Sequence, residues 1–206
     1  MGEEGYIKFN CDFIKAPAIP RAKLEEIIKW RQKFYSLGLI GMYANGIGFG
    51  NISVRKENDS QEFIISGSAT GGLAQLDENH FTLVIQSEFE KNFLICEGPI
   101  VASSESMTHA AIYECDKKAN AVIHIHNKAF WEYLLNKVPT TSKDAAYGTP
   151  EMAREIFRLF SAQKSWPRKL IAMEGHEEGI ISFGASLDEA GKALLDAFNE
   201  FNKSKK

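Results

Sequence analysis

His124 and His126 stand one residue apart in a short β-branched run, Ala121 to His126. Side chains on a strand alternate between faces, so both imidazoles leave one face while Ile123 and Ile125 leave the other. Two imidazoles placed this way can converge on one metal ion. Zinc takes about four ligands, with nitrogen at roughly 2.0–2.1 Å, and a catalytic site keeps one position open. A third ligand must come from elsewhere, and the chain has only five histidines. His176 lies in the glycine-flanked stretch Glu174-Gly175-His176-Glu177-Glu178-Gly179, between two strand-like runs, where a loop can carry a side chain to a sheet edge. Taken alone, the His-x-His spacing is weak: two histidines on a polar face are the commoner outcome, and His176 by itself reads as a surface loop residue. His80 reads as a turn residue and His109 as a helix-packing one.

Glu105 adds a carboxylate. It falls in the first turn of a helix, after Ser103 and Ser104, with Ser104 as the expected N-cap. Unpaired N–H groups and the positive dipole end make a helix start an anion site, and two serine hydroxyls there suit a phosphate or carboxylate. The plainer reading is an ordinary favourable charge at a helix N-terminus.

These residues need elements to hold them. Pro20 opens a helix with apolar residues at Leu24, Ile27, Ile28 and Phe34, closed by Gly38 and Gly41. The glycines Gly46, Gly48 and Gly50 lead into a strand, Asn51 to Arg55. A turn at Glu57 to Ser60 and a strand Glu62 to Ile65 precede a loop of small residues, Ser66 to Gly72. Phe81–Ile85 and Asn92–Cys96 read as further strands. The Glu105 helix runs to about Cys115. Thr149-Pro150 caps and starts a helix to about Phe160. Lys169–Met173 and Gly179–Phe183 are strand-like. Ser186-Leu187-Asp188-Glu189 is a capping box for a final amphipathic helix. Strands come both in runs and between helices, which predicts a mixed sheet flanked by helices.

Composition narrows the class. With 206 residues, 44% hydrophobic and 25% charged, the chain suits one globular domain, taken as 1–206 with 1–19 and 203–206 peripheral. The net charge of -3 gives no basic field for nucleic acid. The segment Met1 to Lys15 has the pattern of neither a leader nor a membrane span, so a cytoplasmic protein with no membrane partner is expected. The three cysteines, Cys11, Cys96 and Cys115, form no CxxC pattern and read as small apolar fillers in a reducing compartment.

In order along the chain, these motifs resemble those of the class II aldolase and adducin family. Gly50-Asn51-Ile52-Ser53-Val54-Arg55 is similar to its GN[VI]S strand, and Phe63-Ile64-Ile65-Ser66 to its strand into a small-residue loop. Ser103-Ser104-Glu105 with His109 and Tyr113 resembles its SSE…H…Y helix. Asn120 to His126 resembles its NAVVHxH strand, Tyr147-Gly148-Thr149 its FGT, and His176 its histidine before glycine. The resemblance implies an α/β fold, three layers with a central, mostly antiparallel mixed sheet between helices. It also implies a homotetramer with active sites at subunit interfaces. His124, His126 and His176 become ligands of Zn2+ or another divalent transition metal, with Glu105 as a fourth ligand that turns acid/base. Gly50, Asn51, Ser66, Ser68, Ser103 and Ser104 would surround a substrate phosphate. The implied activity is a metal-dependent lyase of aldolase type, acting on a phosphorylated sugar or similar hydroxy-carbonyl compound through a metal-stabilised enediolate. An epimerase or dehydratase shares that chemistry, and an adducin-like interaction domain is the non-catalytic alternative.

Three departures stand out. The segment 127–146 is shorter than in the sugar-phosphate aldolases, which carry a catalytic tyrosine there, and no tyrosine lies between Tyr133 and Tyr147. The family's compact threonine-proline-serine-glycine loop is replaced by Ser66 to Gly72. His176 is followed by Glu177-Glu178, and such carboxylates are expected to tighten a metal's surroundings and repel an anionic substrate.

Overall fold

A computed structural model describes residues 7–163 and 165–205. The expectations for residues 1–19 and 203–206 therefore lie outside the described residues at 1–6 and at Lys206. The strands are β1 (Asn10–Lys15), β2 (Gly41–Met42), β3 (Gly48–Phe49), β4 (Asn51–Arg55), β5 (Phe63–Ser66), β6 (Phe81–Glu88), β7 (Phe93–Gly98), β8 (Ala121–His126), β9 (Leu170–Ala172) and β10 (Gly179–Gly184). The helices are α1 (Glu25–Ser36), α2 (Ser106–Cys115), α3 (Lys128–Leu134), α4 (Pro150–Ala162) and α5 (Leu187–Ser204).

Eight strands form one sheet in the order β1-β7-β6-β5-β4-β8-β10-β9, and β2 pairs with β3 as a separate short hairpin. Every neighbouring pair in the large sheet is antiparallel except β1 with β7. This is the mixed sheet that the strand runs predicted, and it is mostly antiparallel, as the family resemblance implied. Its two faces carry separate cores. Ile52, Ile123, Ile125 and Ile180 pack with Phe34 of α1, Phe130 of α3 and Leu194 of α5. Val122, Ile181 and Phe183 pack on the other face with Met107 of α2 and Ile156 of α4. β8 is buried at all six residues, and its period-two alternation puts His124 and His126 on the α2/α4 face, with Val122.

Local chemistry explains the element ends. Gly38, at φ +69, closes α1: its N–H donates to the Tyr35 carbonyl and that of Leu39 to Phe34. A left-handed residue with this bonding pair is the usual way to satisfy the last carbonyls of a helix. Thr149 and Ser186 accept from Met152 and Glu189 N–H groups, as expected of N-caps. Ser104, however, does not cap α2. Glu105 is itself the N-cap residue, and its side chain makes no capping bond. The Ser103 carbonyl takes the Ser106 N–H instead, so the turn begins one residue later and leaves the Glu105 carboxylate to another use.

β1 extends the sheet in parallel register with β7, Cys11 and Cys96 sulfurs lie 3.5 Å apart between the two strands, and Phe9 is buried.

Candidate active site

Two elements bring the histidines together. β8 supplies His124 and His126 from one face. The turn between β9 and β10 supplies His176, shaped by the Met173 carbonyl accepting the His176 N–H and the His176 carbonyl accepting the Gly179 N–H. Potential ligand atoms of the three all lie within 4.8 Å of one another, and all three residues are buried. Glu105, at the head of α2, is 1% exposed, and one carboxylate oxygen stands 3.5 Å from His176 Nδ1.

The contact is not an ion pair. Burial, and secondarily the positive charge of Lys8, push His176 down to about 3, so its imidazole is neutral. Burial also holds His124 and His126 well below the usual histidine range, with neighbouring histidines adding to the effect. A buried carboxylate beside three neutral imidazoles is a donor set that favours a cation.

Two further observations fit a divalent cation. The Asn51 amide meets His124 Nδ1 at 3.4 Å, while the buried Nε2 has no hydrogen-bond partner among the described residues. A Cβ added to Gly179 would stand 3.1 Å from that Nε2 and 3.2 Å from His176 Nδ1. Strand register places Gly179 opposite His126, so the missing side chain leaves room where the nitrogens converge. Imidazole and carboxylate suit zinc and several neighbouring transition metals.

The cluster forms one wall of a pocket of about 210 Å³. Gly50, Asn51, Ser68, Ser103 and Ser104 line it, together with Gly67, Thr70, Gly71 and Tyr147. Ser66 does not. It is buried in β5, where its hydroxyl accepts the Ile52 N–H at 3.3 Å.

Sequence reading missed the support of the small-residue loop. Arg31 of α1, 2% exposed, donates from Nη2 to the carbonyls of Thr70 (3.0 Å) and Gly71 (2.8 Å). Burial lowers its pKa to about 10, which leaves it charged at neutral pH. Gly71 is required by closeness: an added Cβ would lie 2.6 Å from the Gly41 carbonyl oxygen and 2.7 Å from Phe49 N. The loop is thus clamped between the β2–β3 hairpin and a buried cation.

Tyr147 stacks on His176, with ring centroids 4.6 Å apart, and Lys8 lies 3.7 Å above the tyrosine ring. Tyr133, in the shortened segment, points away, with its hydroxyl bonded to Glu200. His109 stays outside the pocket, in a buried network with Ser53 and Tyr113, each 2.7 Å from the serine hydroxyl. The two acidic residues after His176 do not line the pocket. Glu177 pairs with Lys128 at 2.9 Å on the surface, and Glu178 accepts from the Tyr43 hydroxyl.

The model of the class II aldolase and adducin N-terminal domain matches residues 25–197. The chain belongs to this family. Among solved structures, an L-fuculose 1-phosphate aldolase superposes with a TM-score of 0.65 at 18% identity, covering 91% of this chain and 88% of the other. The L-fuculose-1-phosphate aldolase from Thermus thermophilus gives 0.63 at 21% identity, with 88% and 92% covered. A sugar-phosphate aldolase from Thermotoga maritima gives 0.66 at 16% identity, with 88% and 93% covered. At these identities the neighbours establish a shared class II aldolase fold. No curated protein matches the sequence. Within this aldolase-family chain, no helix among the described residues is long and apolar enough to cross a membrane.

Proposed function

We propose that this class II aldolase family member is a zinc-dependent lyase that cleaves a phosphorylated sugar or a closely related hydroxy-carbonyl compound. The observation that carries the reading is the convergence of three buried, neutral histidines and Glu105 on a pocket that is also lined by a small-residue loop backed by Arg31. His124, His126 and His176 would hold the cation, with Glu105 beside them. A bound divalent cation supplies Lewis acidity to a substrate carbonyl and its neighbouring hydroxyl.

The chain's own residues do the rest. Ser103, Ser104, Ser68 and the backbone of Gly67 to Gly71 receive the anionic group and fix the reacting carbon, with Gly50 and Asn51 beside them. Ser66 acts from behind, through the Ile52 N–H at the start of β4. Glu105 exchanges the proton on the substrate carbon. Tyr147, the only tyrosine lining the pocket among the described residues, exchanges the proton of the hydroxyl whose carbon is released. This assigns a phenol in place of the one missing from segment 127–146.

The same residues would serve epimerisation or dehydration, which differ in the fate of the deprotonated substrate. We further infer a homotetramer with active sites at subunit interfaces. Exposed Met42 and Leu73, on either side of Gly72 in space or sequence, support an assembled surface near the loop. A cytoplasmic setting suits the free thiols of Cys11, Cys96 and Cys115.

A panel of phosphorylated and free ketoses and hydroxy acids, assayed with zinc, manganese or cobalt restored, tests the reading. Metal-dependent cleavage of a phosphorylated ketose, abolished by chelation, is expected. Metal-loaded protein that cleaves, epimerises and dehydrates none of them would favour a non-catalytic, adducin-like domain.

A further inference from the structure

Tyr43 and Glu178 lie outside the pocket lining, 135 residues apart in sequence, and meet at His126. The Tyr43 hydroxyl is 2.9 Å from a Glu178 carboxylate oxygen and 2.8 Å from His126 Nδ1. Tyr43 sits in the β2–β3 turn, where its N–H donates to the Ile47 carbonyl and its ring packs 4.5 Å from that of Phe49. Glu178 sits in the turn before β10 at φ +72, a left-handed conformation in which a non-glycine side chain is strained. Strain held at a particular side chain is a reason to ask what that side chain does.

The hydroxyl has one proton to place between Glu178 and His126. A carboxylate only accepts, so the phenol proton goes to Glu178. The phenol oxygen must then accept from His126, which puts the imidazole proton on Nδ1. Nε2 is left with the lone pair that a metal needs. We propose that Glu178 is a positioning residue that acts through Tyr43 to hold His126 in its metal-binding tautomer. The proposal rests on the metal reading of the three histidines. It assigns a purpose to the two acidic residues that separate His176 from glycine: Glu177 is a surface partner of Lys128, and Glu178 orients the metal centre from behind. Partners of this kind behind a ligating histidine typically account for about 10–100-fold in metal affinity.

Glu178→Gln gives the sharpest test, because an amide can donate to the phenol oxygen. The Tyr43 proton then turns toward His126 Nδ1 and favours the tautomer that cannot bind through Nε2. Cobalt(II) affinity, measured by chelator competition on the full chain, should fall about 10–100-fold in Glu178→Gln and in Tyr43→Phe. The double variant should lose no more than Tyr43→Phe alone, because both act through one hydroxyl. The visible ligand-field spectrum of the cobalt-loaded protein should change in both single variants, while Glu177→Gln should leave affinity and spectrum as in wild type. Glu178→Gly guards against misfolding, since glycine relaxes the left-handed backbone while removing the carboxylate. It too should bind cobalt weakly. Wild-type affinity and spectrum in both Glu178 variants, or losses that add in the double variant, would overturn the proposal. Failure of the wild type to bind cobalt would instead overturn the metal reading beneath it.

Discussion

Gly179→Ala isolates the geometry of the metal centre from its chemistry, because it adds one methyl group and removes no donor. The new Cβ would stand 3.0 Å from the His176 carbonyl oxygen, 3.1 Å from His124 Nε2 and 3.2 Å from His176 Nδ1. Each distance is a few tenths of an ångström short of ordinary contact. Without a cation the two rings can rotate away, so only the contact with the His176 carbonyl, a backbone atom common to both states, is left to offset the roughly 0.5–1 kcal/mol that alanine regains over glycine in a strand. The metal-free variant should therefore be about as stable as wild type. A cation takes away that freedom, since it fixes each nitrogen near 2.0–2.1 Å from one point. The overpacking, about 1–3 kcal/mol, then falls almost wholly on the bound state. That corresponds to a loss of about 5–150-fold in affinity. Chelator competition gives the affinity, and denaturant melts of the metal-free proteins give the stability. If Gly179→Ala binds zinc as tightly as wild type, the nitrogens do not converge beside Gly179 and the proposed centre is wrong in its geometry.

Other consequences follow from the pocket walls and the buried rings. Arg31→Met removes two charge-assisted hydrogen bonds to the Thr70 and Gly71 carbonyls, each worth about 1.5–3 kcal/mol. It should raise KM for a phosphorylated substrate about tenfold or more while metal affinity holds; an unchanged KM would separate the loop from anion binding. Tyr147→Phe keeps the stack on His176 but loses the phenol, so kcat should fall about 10²–10⁴-fold with metal still bound, and full activity would remove Tyr147 from proton transfer. His109, His124, His126 and His176 are held below their unfolded value of 6.5 mainly by burial. Below that pH the unfolded chain binds protons that the folded chain refuses. Stability of the metal-free protein is therefore full above 6.5 and falls with pH, by up to about 1.4 kcal/mol per unit for each such histidine. Melts that stay constant between neutral pH and about pH 5 would contradict burial of these rings in neutral form.

The sheet and its flanking helices were legible wherever one local rule decided the outcome. The alternation from Ala121 to His126 fixed both the strand and the common face of its histidines, and Thr149-Pro150 fixed a helix start. Ser104 misled because Ser103 and Ser104 are equally good caps by type, while the backbone turned at Glu105. α3 was missed although Asn127 caps it, its side chain accepting the Phe130 N–H, and Phe130 and Leu134 share a face at i,i+4. With only seven residues, its periodicity is too short to stand out against the strand before it. β1 gave no signal, since all but Cys11 are exposed and its parallel pairing reaches across more than eighty residues to β7. Most of the pocket's identity lies in such long-range meetings. No local pattern ties Arg31 to the Thr70 loop or Tyr43 to Glu178, and those contacts set what the pocket holds and how its histidines are oriented.

Metal content of the purified protein, measured beside that of His126→Ala, tests the three-histidine centre most directly. One divalent transition-metal ion per wild-type chain is expected, or stoichiometric uptake of zinc with a raised melting temperature, with both lost in the variant. Wild-type protein that contains no metal and is not stabilised by zinc, manganese or cobalt would contradict this expectation.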